Sequence, residues 1–95
     1  MSEFDERLAA LAARFFVEAT GSIAFIEACL ARRDWIDLSA RCHSLAGRAG
    51  MFGQAPLGEA ARAVEEAIDA AAPAAVIEPL ALALLDQLRA LRQGC

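Results

Sequence analysis

The residues with the most chemistry open to them fall in one stretch, Arg41 to Gly53, which holds the chain's one histidine and three of its six glycines. An imidazole can bind a metal, move a proton or attack an electrophile, because histidine titrates near pH 6.5 and a neutral ring is available at pH 7. Read at helical spacing, His43 stands among small residues. Ser39 and Ala40 lie one turn before it, Ala46 and Gly47 one turn after, and Gly50 two turns after. At about 100° per residue all five fall within about 60° of His43. The opposite face carries Leu38, Leu45 and Phe52, with Cys42 and Ala49 at its margin, so the helix is expected to be apolar inward and bare around the imidazole outward. A glycine in a helix interior costs about 0.5–1 kcal/mol relative to alanine. Gly47 and Gly50 therefore imply either a second helix packed very close or a surface kept open for docking.

Most chemistries fail on spacing. Cys42 and His43 are adjacent and point about 100° apart on a helix, and there is no His-xxx-His or Glu-xx-His pair, so no metal site is expected. Ser44 and His43 are neighbours rather than partners, and no Gly-x-Ser-x-Gly elbow is present. The glycines between 47 and 53 sit within a helical pattern rather than after a strand, which argues against a nucleotide loop. Glu65-Glu66 reads as solvated charge rather than an acid–base pair. What remains is a solitary, accessible imidazole. Such a ring can accept a phosphoryl group in line without a general base and pass it on. A partner would supply positioning, charge stabilisation and Mg²⁺.

The elements that must position His43 read as helices throughout. Leu8, Leu11/Ala12, Phe15, Ala19, Ile23, Ile26 and Leu30 form one apolar stripe, with Thr20-Gly21-Ser22 as a weak point that makes this two helices or one bent one. Phe15-Phe16 places one ring in the core and one at its edge. Arg32-Arg33 ends the segment and Asp34 caps the next helix, which runs from Trp35 through His43 to about Phe52 and stops at Gly53. Pro56 suits the first turn of a third helix with the stripe Leu57, Ala60/Ala61, Val64, Ile68 and Ala71. Pro73 opens a fourth, in which Pro79 marks a kink or the true start. Ile77, Leu80, Leu84, Leu88 and Leu91 line one face of it, widened by Leu82 and Leu85. No strand alternation or repeat is present. The expected fold is all-α, an antiparallel four-helix bundle with a short or bent N-terminal helix as one variant, forming a single domain over residues 1–95.

Composition narrows the partners. The net charge is −4 with a pI near 4.8, and all nine basic residues are arginine, which argues against nucleic acid. Mean hydropathy is +0.39, but no run reaches the roughly 18 uncharged residues of a membrane span, and the acidic N-terminus is unlike a signal peptide. Cys29, Cys42 and Cys95 form no CxxC pair and read as free or buried thiols, so a reducing, cytoplasmic setting is expected.

The series His43-Ser44-Leu45-x-Gly47, then Ala49, Phe52-Gly53, Leu57 and Glu65, resembles the histidine-containing phosphotransfer (HPt) domains of two-component phosphorelays. Asp34-Trp35 before the histidine helix and Val64-Glu65-Glu66 near the end of the third helix extend the likeness, which covers roughly Leu8 to Leu91. It implies an HPt-like bundle, bacterial in style, in which His43 is the phospho-acceptor through Nε2 and Gly47 and Gly50 clear the docking surface. Ser39, Ala40, Ser44, Ala46 and Gln54 would surround the phosphoryl group or rim the contact. The implied partners are response-regulator receiver domains, a hybrid histidine kinase, or both. No ATP site, enzymatic machinery or bound cofactor is implied for this chain, and Mg²⁺ would sit on the receiver. The family often carries lysine three residues after the histidine; here that position is Ala46, and Arg48 lies about 140° around the helix from His43. The rival reading is a non-catalytic docking module using the same His43 face.

Overall fold

The computed structural model describes residues 2–94, arranged as α1 (Glu3–Arg32), α2 (Trp35–Ala49), a 3₁₀ turn (Gly50–Phe52), α3 (Ala55–Asp69) and α4 (Ala74–Gln93). No strand occurs among the described residues, and the architecture is the expected all-α bundle. Cys95, the third thiol, lies outside the described residues.

Each boundary has a local cause. The Ser2 hydroxyl accepts from the Asp5 amide at 3.2 Å, and Glu3, Asp5 and Glu6 place negative charge in the first turn of α1. Thr20-Gly21-Ser22 does not interrupt α1, which continues unbroken for 30 residues. The Thr20 and Ser22 hydroxyls donate back to the carbonyls of Phe16 and Glu18, each at 2.9 Å, so both are satisfied within the helix. Arg33 turns left-handed at φ 54°, and Asp34 Oδ1 then accepts from the Asp37 amide at 3.1 Å to open α2. α2 ends at Ala49, three residues before the expected limit. Gly50 begins the 3₁₀ turn, and Gly53 at φ 74° reverses the chain. α4 starts directly after Pro73 and continues through Pro79, so Pro79 neither opens nor ends it.

Four apolar faces meet in one core. Ile26, Leu38, Leu45, Leu57, Val64, Ile77, Leu84, Leu85 and Leu88 are fully buried, as are Cys29, Cys42 and Ala49. Cys42 and Ala49 are thus core residues rather than marginal ones. Phe15 is buried and Phe16 half-buried, and the Phe15 ring stacks on Phe52 at 5.2 Å between centroids. Leu82, expected to widen the core face of α4, is exposed, while Leu85 takes the buried position.

Two stripe members, Leu8 and Leu11, are exposed as well, together with Phe4. The reason is length. At 1.5 Å per residue α1 is about 45 Å long and α2 only about 22 Å, so the first turns of α1 project past their neighbours. By length and composition α1 could cross a membrane; in the structure its Phe15, Ala19, Ile23, Ile26 and Cys29 face the core.

Candidate functional site

α2 and α3 run antiparallel, and their polar pairs share one register along the seam. The Ser39 hydroxyl faces Asp69 Oδ1 at 3.5 Å, and one turn on, His43 Nδ1 lies 2.7 Å from Glu65 Oε2. A further turn brings Ala46 and Arg62 into the lining of one hollow, with Gly50 and Gly58 beyond them. Two leucines two turns apart, Leu38 and Leu45, anchor the underside of α2 in the core and hold His43 outward.

The His43 side chain is 78% exposed, whereas that of Glu65 is 20% exposed. The carboxylate is therefore held against the helix seam while the ring stands free. A carboxylate can only accept, so the contact places a proton on Nδ1; in a neutral ring that leaves Nε2 with the lone pair. The same carboxylate reaches inward electrostatically. Burial pushes the Cys42 thiol up to about 12, and the Glu65 charge adds to that push.

The glycines divide into two kinds. A Cβ on Gly47 or Gly50 would meet nothing within 4 Å, so the face around His43 is open rather than packed against another helix. The close approach occurs instead at Gly58, where a Cβ would stand 3.3 Å from Ala49 Cβ and 3.7 Å from the Ala46 carbonyl oxygen. Gly58 lets α3 come near enough to α2 for Glu65 to reach His43.

The other candidates sort by the same geometry. Ala40 and Gly47 are exposed and Ser39 and Ala46 half-buried beside the His43 seam. Ser44 is exposed but lines a different hollow, with Glu18, Ser22, Arg41 and Arg48 on the α1 side. Gln54 does not join the His43 face. The Gly53 reversal carries it to the end of the bundle, against Gln87, Ala90 and Leu91 of α4. Arg48 pairs with Glu18 and sits 5.9 Å from the Phe15 ring, away from His43. Arg41 donates to the Ser22 hydroxyl at 3.0 Å and covers Phe25.

Glu65, expected with Glu66 on a solvated face, is instead held at the α2/α3 seam against His43. Helical angles separate the two: measured from the Leu57–Val64–Ile68 stripe, Glu65 lies at its shoulder, about 80° away, and Glu66 diametrically opposite. Among the described residues no cluster of three His, Cys, Asp or Glu side chains could hold a metal ion.

The Hpt domain family model matches residues 10–94, nearly the whole chain. No curated protein and no solved structure matches it.

Proposed function

The chain belongs to the Hpt domain family, whose chemistry is histidine phosphotransfer in two-component systems, and on that premise we propose that it is a phosphorelay carrier with His43 as the acceptor. The observation that carries this reading is the exposed imidazole bonded through Nδ1 to Glu65. The Nε2 lone pair forms the N–P bond as the P–O bond to a receiver aspartate breaks, and the electron pair leaves on the aspartate oxygen. Nδ1 keeps its proton, and the Glu65 carboxylate offsets the positive charge that develops on the ring. The reverse step returns the group to a second response-regulator aspartate.

The chain's own part is to hold the nucleophile, fix its tautomer and leave room for the receiver around Ala40, Gly47 and Gly50. Mg²⁺ belongs to the receiver in this scheme, where it neutralises phosphoryl charge. No ATP chemistry is assigned to this chain.

The test is phosphoryl acceptance from a phosphorylated receiver domain, with the linkage probed by acid and base. Acid-labile, base-stable label that disappears in His43→Gln supports the carrier. A folded protein that takes no label from several receivers, yet binds them, would instead be a docking module.

A further inference from the structure

We propose that Arg62, reaching across from α3, is the cation that engages the phosphoryl group on His43; this rests on His43 being the acceptor. A phosphoryl group in transfer spreads charge over its equatorial oxygens, and a guanidinium matches that geometry with paired N–H donors. α2 offers no cation there, because the position one turn beyond His43 is Ala46. The α2/α3 register sets Arg62 opposite that alanine, and the two line the same hollow. Arg62 stands three residues, about 4.5 Å of rise, along α3 from Glu65, whose carboxylate lies 2.7 Å from the ring. Ala46, which lines that hollow with Arg62, carries only a methyl, and Gly47 beside it has no side chain.

The remaining arginines are committed or distant. Arg41 is held by Ser22 and Phe25, and Arg48 by Glu18. Arg7, Arg32, Arg33 and Arg89 pair with Glu3, Asp34, Glu78 and with Glu27 and Asp86. Arg62 is exposed and has no ion-pair partner among the described residues; Arg14 and Arg92 share that freedom, but lie on the projecting part of α1 and in the last turn of α4. Glu59 lines the hollow beside Arg62 and has no ion-pair partner among the described residues. On phosphorylation the guanidinium turns to the dianion. It keeps all its protons and donates hydrogen bonds to the non-bridging oxygens.

Phosphoramidate tests this without a receiver. His43 Nε2 attacks its phosphorus, the P–N bond breaks, and ammonia leaves from the already protonated nitrogen. Wild type, Arg62→Ala, Arg62→Lys and the double variant Arg62→Ala/Ala46→Lys would be compared for labelling rate. The Arg62 Nε–H resonance would be followed by NMR before and after labelling. The expected result is a rate about tenfold lower in Arg62→Ala, equivalent to about 1.4 kcal/mol. Arg62→Lys should restore part of that rate, as should lysine placed at Ala46, and the Arg62 resonance should shift on labelling in wild type. Normal labelling of Arg62→Ala with an unmoved resonance overturns the assignment to Arg62 while leaving His43 as acceptor. Absence of His43-dependent label in wild type overturns the acceptor reading, and this assignment with it.

Discussion

Glu65 Oε2 lies 2.7 Å from His43 Nδ1 across the α2/α3 seam, the carboxylate mostly covered and the imidazole mostly open. This one contact joins fold to chemistry. It requires the interhelical register, and with the carboxylate accepting from Nδ1 it leaves the lone pair of a neutral ring on the exposed nitrogen. Replacing Glu65 with alanine should lower phosphoryl acceptance about tenfold or more, by analogy with the loss seen when the partner orienting a metal-bound histidine is removed. Glu65→Gln keeps an acceptor oxygen without the charge and should fall between. Imidazole ¹⁵N shifts give the direct check: the alanine variant should show a mixture of tautomers where wild type shows one.

Gly47 tests the docking surface apart from the chemistry. Its neighbourhood is empty, so Gly47→Leu should leave the helix intact and even gain propensity. The added side chain would stand beside His43 where a receiver must approach. Transfer from a receiver should fall at least tenfold while labelling by phosphoramidate stays within twofold. Equal loss with both donors would mean that residue 47 disturbs the ring itself.

The sequence made the helices legible because caps and stripes are local. Asp34 before Trp35, Gly53 after Phe52 and Pro56 in a first turn announce their roles without any partner. The outward face of α2 was legible for the same reason, since helical angles alone place Ala40, Gly47 and His43 together. What local pattern does not encode is the alignment of one helix against another. Glu65 and Arg62 gain their positions from the α2/α3 register, Gly58 from the closeness of that pair, and Gln54 loses its place through the Gly53 reversal. Leu8 and Leu11 show the limit differently. Periodicity shows which side of α1 is apolar, but not that its neighbours end before those residues are reached.

Gly58 sets the distance between the two working helices. A valine there would drive its methyls into Ala49 Cβ, already 3.3 Å from where a Cβ would begin, and into the Ala46 carbonyl. Overpacking of this kind costs about 1–3 kcal/mol. Because α2 must yield, the His43–Glu65 bond should weaken as well. Gly58→Val is therefore expected to lower the midpoint of urea unfolding and, in the fraction still folded, to show the same mixed tautomers as Glu65→Ala.

Leu45 tests the rotation of α2. It is 1% exposed, on the side of the helix away from the open face. Truncation to alanine leaves a cavity that the surrounding helices fill only in part, at a cost of about 2–5 kcal/mol. Chemical denaturation reads this directly. An unchanged midpoint would contradict the inward placement of Leu45 and, with it, the outward placement of His43.

Cys42 links the site to stability at high pH. Its thiol is fully buried behind His43, and burial, reinforced by the Glu65 charge, raises it from 9.0 to about 12. The sign follows from which state ionises first. Below about pH 9 the thiol is neutral in both folded and unfolded chains and contributes no pH dependence. Between about 9 and 12 the unfolded chain releases the proton while the folded chain retains it, so stability should fall with rising pH by up to about 1.4 kcal/mol per unit from this group. Cys42→Ala should start less stable at pH 7, having lost a buried side chain, yet show a shallower alkaline decline. Urea midpoints measured from pH 7 to 11 on both proteins decide it, and parallel curves would show that Cys42 is not the group responsible.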